Sequence, residues 1–247
     1  LINMSTVVIP AIDIIQGRCV RLSQGDYASK TVYDVDPCDM VRRFVDAGFP
    51  RVHVVDLDGA KAASPQNLAT LEKVASVPGA RIEWGGGIKD SQALTDIFSA
   101  GASYAVVGSI AARQPDVMAR WIREYGPGRM ILGADVRNGR VAVSGWQEEM
   151  QLTIEDLILR LLPDGLTQAI CTEISRDGML AGSAVELYRQ LMERFPQVIF
   201  TSSGGIGSLA DVEEVAAAGV PRVIVGKALY EGRVTLEQLR PFAGDAV

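Results

Sequence analysis

WGGGIKDSQALTDIFSAGASYAVVGSIA (84–111) is repeated later in the chain, with changed side chains, as SSGGIGSLADVEEVAAAGVPRVIVGKAL (202–229). In both copies a Gly-Gly-Ile is followed by a helical pattern, an apolar run and a Val-Gly. The glycine spacing is kept without a gap, because three pairs each lie 118 positions apart, namely Gly86 with Gly204, Gly101 with Gly219 and Gly108 with Gly226. This repeat indicates a chain built from two similar halves.

The rest of the chain also alternates short apolar runs with amphipathic segments. Apolar runs without polar alternation are typical of parallel strands covered on both faces. Eight are predicted as strands, at 6–13, 51–58, 80–86, 103–109, 129–136, 167–174, 197–203 and 221–227. Seven helices, several with Ser, Asp or Pro at the start and Gly at the end, are predicted at 37–48, 65–76, 91–101, 115–126, 153–165, 183–196 and 209–219.

These elements predict an α/β fold, a (β/α)8 TIM barrel built from two similar half-barrels. We expect one domain over 1–247, with half-barrels at roughly 4–126 and 127–247, and its 48% hydrophobic residues suffice for a sizeable core. Residues 1–3, which precede Met4, are not part of this prediction. A doubly wound open sheet is the alternative, but it does not predict a chain that repeats itself halfway.

A second pair of motifs widens the repeat. AIDIIQGRCV (11–20) resembles GADVRNGRVA (133–142), with three matched pairs at an offset of 122, namely Asp13 with Asp135, Gly17 with Gly139 and Arg18 with Arg140. Both aspartates are expected at the carboxyl ends of strands, the first and the fifth, that face each other across the barrel. Catalytic groups of such barrels lie at that end.

The composition argues against several partners. The formal charge of −6 disfavours nucleic acid and anionic membranes, which favour a basic surface. No apolar run approaches the ~18 residues of a membrane span, and no secretory signal pattern opens the chain. Cys19, Cys38 and Cys171 are odd in number and lack a Cys-x-x-Cys spacing. They predict reduced thiols in a cytoplasm rather than disulfides or a zinc site.

The repeated glycines predict two anion sites. A glycine pair at a strand end lets backbone N–H groups approach a ligand, and a following helix N-terminus favours phosphate. The alternative is that these glycines only make tight turns. The duplication favours two phosphate sites on opposite sides of the barrel mouth, formed by Gly86, Gly87, Gly108 and Ser109 in one half and by Gly204, Gly205, Gly226 and Lys227 in the other.

Carboxylates are the candidate acid–base groups. His53 is the single histidine, and its place in an apolar strand favours a structural role. Asp13 and Asp135 follow apolar runs and are expected to be partly desolvated. Two carboxylates in unlike surroundings can act as one acid and one base.

Three further aspartates follow predicted strands. Asp177 lies just beyond the sixth strand, near Thr172, and is a third candidate proton carrier. Asp56 and Asp58, after the second strand, are further candidates, although Asp58-Gly59 also fits a plain turn.

The motifs, taken in order, resemble those of one family. The chain contains IPAIDIIQGRCVRLSQGDY, HVVDLDGAK, WGGGIKD, VAVSGWQE, TEISRDG, SSGGIGS and VIVGKALYEG, between about Val7 and Gly232. These segments are similar to those of the phosphoribosylformimino-5-aminoimidazole carboxamide ribotide isomerases of histidine biosynthesis. The resemblance implies a twofold-repeated barrel, a monomer without cofactor or metal. The implied reaction is an Amadori rearrangement of an aminoaldose ribosyl phosphate with a phosphate at each end.

The resemblance also implies roles for individual residues. Asp13 matches the proton acceptor and Asp135 the proton donor, while Thr172 and Asp177 match the catalytic pair after the sixth strand, with Asp177 as an alternative acid.

Other positions match substrate contacts or depart from the family pattern. Arg21 and Trp146 match substrate-contacting positions on loops. Met179 stands where Thr is frequent, and Ser183-Ala184 where Pro-Asn is usual, so this loop is expected to differ in shape. Trp84 stands where a smaller residue is common and is expected to face the helices.

Three rival functions share parts of this pattern. The sister cyclase of the pathway, which uses ammonia from a glutaminase, has the same repeat but a different first-strand motif. A bifunctional isomerase that also rearranges phosphoribosyl anthranilate has an extra loop arginine where this chain has Ser144. A catalytically silent sugar-phosphate binder would not need Asp13, Asp135, Thr172 and Asp177 together.

Overall fold

The computed structural model describes residues 6–23, 26–33, 35–143, 148–177 and 182–244, with the backbone alone for those within 21–30. These residues form twelve strands: β1 (Val7–Ile15), β2 (Arg18–Ser23), β3 (Asp26–Val32), β4 (Arg51–Asp56), β5 (Arg81–Gly85), β6 (Tyr104–Val107), β7 (Met130–Arg137), β8 (Arg140–Val143), β9 (Glu148–Thr153), β10 (Gln168–Glu173), β11 (Ile199–Ser203) and β12 (Arg222–Val225). All eight predicted strands are confirmed, each within a few residues of its expected bounds.

The helices alternate with the strands. Those in the described residues are α1 (Pro37–Asp46), α2 (Leu57–Ala62), α3 (Leu68–Ala75), α4 (Ser91–Ser99), α5 (Ser109–Arg113), α6 (Pro115–Tyr125), α7 (Ile154–Leu161), α8 (Val185–Arg194), α9 (Leu209–Ala217), α10 (Lys227–Tyr230) and α11 (Leu236–Leu239). The seven predicted helices are confirmed. Asp90 and Ser208 begin the twofold-related α4 and α9, and each accepts a hydrogen bond from a backbone N–H of the first turn.

Eight strands close into a parallel barrel. The ladder runs β1-β4-β5-β6-β7-β10-β11-β12 and returns to β1, and every step is parallel. The open-sheet alternative is therefore wrong, and the predicted (β/α)8 barrel is confirmed. β1 and β7 are four steps apart in either direction, so the strands of Asp13 and Asp135 face each other across the barrel.

Two layers of apolar side chains hold the barrel together. The larger one lies between strands and helices and contains Trp84, which is fully buried there, as predicted. The smaller one fills the middle of the barrel with side chains from alternate positions of facing strands, including Ile9, Ile131, Ile170 and Ile224. This inner layer forms the base on which the mouth of the barrel is built.

Two antiparallel hairpins were not predicted. β2–β3 follows β1, and β8–β9 follows β7, so each half-barrel has one. The turns that join β1 to β2 and β7 to β8 contain Gln16-Gly17 and Asn138-Gly139, with positive φ at both central residues of each. This is the geometry of a type I′ turn, which matches the twist of the flanking strands. The repeat inferred from the sequence therefore extends to the hairpins.

The end of the barrel opposite the mouth is closed by a polar cluster, called the floor below. Arg51 and Arg222 are almost fully buried, and both donate to Gln168 Oε1, at 3.1 and 2.7 Å. Arg51 also pairs with the fully buried Glu83 at 2.8 Å. Burial alone would raise the pKa of Glu83, but Arg51 and His53 outweigh it and lower that pKa to about 2.

The three cysteines are free thiols. Cys19 and Cys171 are buried, and Cys38 is partly exposed. Burial raises the pKa of Cys171 to about 12 and that of Cys19 to about 11. Within the described ranges, none of the helices has the length and apolar character needed to cross a membrane.

Candidate active site

A cavity of about 320 Å³ opens at the carboxyl ends of the barrel strands. Every barrel strand, or the loop that follows it, contributes to its wall. Parallel strands end together at this edge, so groups distant in the sequence meet here. Four of the candidate catalytic residues and both glycine sets line this one cavity: Asp13, Asp135, Thr172, Asp177, Gly86, Gly87, Gly108, Ser109, Gly204, Gly205, Gly226 and Lys227. The further candidates Asp56 and Asp58 are not among its lining residues.

Asp13 and Asp135 reach the cavity from opposite walls. Each is half-buried. Asp13 lies between Val55 of β4 and Val20 of the hairpin strand β2, so its backbone has a paired strand on both sides. Asp135 has the equivalent neighbours in β10 and β8. The hairpins therefore fix the strand segments that bear the two carboxylates.

Thr172 and Asp177 lie on the Asp135 side of the cavity. Thr172 is the register partner of Asp135 across β7 and β10. Asp177 follows in a tight turn after β10, where its backbone N–H donates to the carbonyl of Glu173 at 3.2 Å. The two candidate acids, Asp135 and Asp177, thus line the same side of the cavity.

The glycine loops form two related sets, called the first and second cradle. The first cradle consists of Gly86, Gly87, Gly108 and Ser109, and the second of Gly204, Gly205, Gly226 and Lys227. Gly86, Gly87, Gly204 and Gly205 all have positive φ, between 80° and 104°. Each cradle joins the loop after one strand to the start of a short helix after the next strand, α5 or α10.

The glycine pairs also meet a packing demand. A Cβ added at Gly86 would overlap the carbonyl group of Asp56, and one at Gly205 would overlap that of Gly182. Each pair therefore allows its loop to pack against the loop of the preceding strand. The alternative that these glycines only make tight turns thus describes part of their role. They also line the cavity, where a ligand can reach them.

Lys89 is a cavity residue that the sequence prediction omitted. It lies two residues after the first glycine pair, lines the cavity and is half-buried. Burial lowers its pKa, and the nearby Arg113 lowers it further. The motif WGGGIKD contained the signal, a lysine three residues after the first glycine of the pair and just before a helix. With Lys89, each half of the cavity contributes one lysine, since Lys227 lies in the second cradle.

Some predicted positions lie outside the described part of the chain. These are Trp146, Met179 and the side chain of Arg21, whose backbone belongs to β2. Ser183, at the other end of the Met179 loop, is buried, and its hydroxyl lies 2.9 Å from that of Ser202.

Asp56 and Asp58 organise the loops around the cavity. Asp56 is fully buried and accepts four hydrogen bonds, from backbone N–H groups of Gly59, Gln66 and Asn67 and from the Asn67 side chain, at 2.7–3.0 Å. Asp58 accepts from the Gln16 N–H at 2.6 Å. Asp58 and Gly59 belong to α2, so the plain-turn interpretation is wrong.

His53 lies at the base of the cavity. Its Nδ1 is 3.3 Å from Oε1 of Glu83 in the floor, and its side chain lines the cavity. The local sequence pattern did not indicate this contact, because Glu83 and His53 belong to different strands and meet only when β4 and β5 pair. Among the described residues, no group of three or more His, Cys, Asp or Glu side chains is placed to hold a metal ion.

Comparison with known proteins agrees with this architecture. A family model described as "Histidine biosynthesis protein" matches residues 7–235. A relative from Bacteroides fragilis is 47% identical over 234 residues, which cover 95% of this chain and 98% of the relative. A relative from Aeromonas salmonicida is 45% identical over 246 residues, with 98% and 96% covered. One from Vibrio cholerae is 46% identical over 237 residues, with 94% and 97% covered.

All three relatives have the same name, 1-(5-phosphoribosyl)-5-((5-phosphoribosylamino)methylideneamino) imidazole-4-carboxamide isomerase. The name supports the isomerase interpretation over the cyclase. The chain therefore belongs to the histidine biosynthesis protein family, and within it to the imidazole-4-carboxamide isomerases.

Proposed function

We propose that this chain catalyses the Amadori rearrangement of a bis-phosphorylated aminoaldose, an imidazole carboxamide with a ribosylamine, to the corresponding aminoketose in histidine biosynthesis. One observation carries the proposal: Asp13 and Asp135 enter one cavity from facing strands, between two twofold-related glycine cradles. The relatives' name adds support, since it describes an isomerase and a compound with two 5-phosphoribosyl groups.

The two cradles suit the two ends of such a substrate. Backbone N–H groups beside glycines can approach a phosphate without steric hindrance from a Cβ. Lys89 adds a cationic group beside the first cradle, and Lys227 does so in the second. A substrate bound at both ends is held across the cavity, so that its sugar lies between the two aspartates. Such positioning removes much of the entropic barrier of a reaction.

The proposed chemistry needs one acid and one base. The acid, Asp135 or Asp177, donates a proton to the ring oxygen of the ribosylamine, and the C1–O bond breaks to leave an iminium at C1. Asp13 then removes the proton from C2, and the electron pair forms a C1–C2 double bond and neutralises the iminium nitrogen. A proton added to C1 and one lost from the C2 hydroxyl complete the ketone. The proton lost from C2 balances the one donated to the ring oxygen.

The test is turnover of the purified chain on the aminoaldose, with Asp13→Asn, Asp135→Asn and Asp177→Asn compared. General acid–base groups typically contribute ~10²–10⁴-fold. We expect Asp13→Asn to lower kcat by about that factor with KM little changed. Of the other two variants, the one that removes the acid should cause the larger fall in kcat.

A matched control removes an exposed carboxylate that does not line the cavity. Asp116 is exposed in the first turn of α6, so Asp116→Asn should leave turnover as in the unmodified chain. Near-normal turnover of Asp13→Asn would overturn the assignment of the base. Absence of turnover in the unmodified, folded chain would overturn the proposed function itself.

The proposal includes a location and an assembly state. We place the reaction in the cytoplasm, supported by the three free thiols. We propose a monomer, because both halves of the site come from one chain. Light scattering on the purified protein tests this, and a dimer at catalytic concentrations would contradict it.

A further inference from the structure

The His53–Glu83 contact joins the floor of the barrel to the cavity. Nδ1 of His53 and Oε1 of Glu83 are both buried, and they lie 3.3 Å apart. Neither atom has a hydrogen-bond partner among the described residues, so the contact is a close approach of the two atoms and not a fully formed hydrogen bond. Buried polar atoms left unpaired are costly. Each of these two atoms is therefore the available partner of the other.

Glu83 is itself held in place from below. Its other oxygen, Oε2, accepts from Arg51 Nε at 2.9 Å and lies 2.8 Å from Arg51 Nη2. The Arg51 guanidinium lies over the Tyr104 ring, 4.1 Å from its centroid, and donates to Gln168. A carboxylate fixed at one oxygen by a buried arginine directs its second oxygen at a defined point. That point is the inner nitrogen of His53.

The outer edge of the imidazole faces the cavity. The side chain of His53 is 12% exposed, its Nδ1 is buried, and the residue lines the cavity. His53 pairs in register with Ala11 of β1, two residues before Asp13 on the same strand. The ring therefore lies one layer below the Asp13 carboxylate, where the sugar of a bound substrate would rest.

We propose that Glu83 is a positioning residue that keeps the proton of the neutral imidazole on Nδ1, so that His53 Nε2 accepts a hydrogen bond from a hydroxyl of the bound sugar phosphate. Nδ1–H donates to Glu83 Oε1, which leaves the Nε2 lone pair directed at the cavity. This inference rests on the proposed function only for the identity of the sugar. The tautomer is inferred from the contact between Nδ1 and Glu83 Oε1 and does not depend on the identity of the sugar.

The single histidine makes the test direct. With ¹⁵N-histidine labelling, the ring signals in a nitrogen–proton correlation spectrum come from His53 alone. At a pH where the ring is neutral, we expect the proton on Nδ1. Addition of the aminoketose product should perturb the Nε2 signal more than the Nδ1 signal. An Nε2–H tautomer in the free protein, or an unchanged Nε2 signal at saturating product, would overturn the proposal.

Variants of the floor test whether Glu83 sets the tautomer of His53 or only stabilises the fold. Arg51→Met/Glu83→Leu removes the acceptor without leaving a buried charge, and we expect a shift to the Nε2–H tautomer and a fall in kcat/KM of about tenfold, the size of one hydrogen bond. Glu83→Gln keeps the shape of the floor but has a single amide oxygen, which the donor-only Arg51 takes, so its NH2 group faces Nδ1 of His53. It should shift the ring to the Nε2–H tautomer and lower kcat/KM as the double variant does.

Gln168→Met is the matched control. It disturbs the floor through Arg51 and Arg222 but does not contact His53. We expect lower stability with the Nδ1–H tautomer and kcat/KM retained. A tautomer that changes as much in this variant as in the double variant would indicate a general loosening and refute the specific role of Glu83.

The two proposals can fail separately. If the unmodified chain turns over the aminoaldose but Nε2 does not respond to product, only the His53 proposal fails. If the chain shows no turnover, the proposed function fails, while the Nδ1–H tautomer in the free protein is still tested. If the double variant does not fold, the product titration of the unmodified chain and Glu83→Gln still decide the question.

Discussion

The packing of the glycine pairs predicts an ordered series of stability losses for three Gly→Ala substitutions. Gly86, Gly204 and Gly219 all have positive φ, at 104°, 88° and 77°. They differ in the space around them. A Cβ at Gly219 meets nothing within 4 Å, and one at Gly204 would lie 3.3 Å from Asp177 Cα. A Cβ at Gly86 would lie 2.9 Å from the carbonyl carbon of Asp56 and overlap its oxygen.

These distances set the expected magnitudes. A left-handed backbone costs an alanine roughly 1–2 kcal/mol, and this should be the whole effect of Gly219→Ala. Gly204→Ala should cost slightly more, because its neighbour must shift by only a few tenths of an ångström. Gly86→Ala must displace the backbone of Asp56, a residue whose side-chain carboxylate accepts four hydrogen bonds from the neighbouring loop. Overpacking of this kind adds about 1–3 kcal/mol, so we expect a total of about 3–4 kcal/mol.

The assay is reversible urea unfolding followed by circular dichroism, with thermal melts as a second measurement. For a chain of this size, 1 kcal/mol shifts Tm by roughly 2–4 °C. Gly86→Ala should therefore melt about 4–8 °C below Gly219→Ala. If Gly86→Ala is no less stable than Gly219→Ala, the close approach of the two loops is not what requires glycine, and the packing argument is refuted.

The floor and the thiols yield three further predictions. Arg51→Met alone should destabilise by about 3–5 kcal/mol, because the buried Glu83 carboxylate loses the arginine that neutralises its charge. Arg51→Met/Glu83→Leu should cost clearly less. Urea unfolding of both variants tests this, and equal losses would contradict it. Folding lowers the pKa of Glu83 from 4.5 to about 2. The stabilising contribution of its carboxylate is therefore present above pH 4.5 and should be lost as the pH falls toward 2. The stability difference between the parent and the double variant should shrink over that range. Iodoacetamide at mildly alkaline pH should modify Cys38 in the native protein but not Cys19 or Cys171, since burial raises the pKa of both inner thiols. Intact-mass and peptide analysis checks this. Early modification of Cys171 would show that the barrel opens.

Strands and helices of the barrel could be predicted because their signals are local and repeated. Each strand has a continuous apolar run, and most helices have a polar start and a glycine end. The hairpins were overlooked although Asn138-Gly139 is a strong type I′ turn signal. The hairpin strand β8 is only four residues long, and β9 is largely polar, so apolar runs alone do not reveal them.

Part of the candidate site could be predicted for the same reason. Asp13 and Asp135 follow strands at matched positions, so the fold brings them to one cavity. Glu83 could not be recognised, because its partners Arg51 and His53 meet it only when β4 and β5 lie side by side. Lys89 was not predicted because its twofold equivalent is Gly207, so the matched positions of the repeat give no signal for a lysine there.

That mismatch of the lysines has a consequence for how a two-ended ligand enters. Rotation of one half-barrel onto the other superposes Lys89 on Gly207 and Lys227 on Ser109, so the two ends of the cavity are alike in backbone but not in charge placement. A perfectly twofold cavity would admit an elongated bisphosphate in either direction, and half of the arrivals would present the wrong carbon to Asp13. Because the lysines stand at different places in the two halves, the two ends of the cavity differ in charge. The two binding orientations of an elongated substrate therefore differ in energy, although the backbone of the cavity is nearly symmetric.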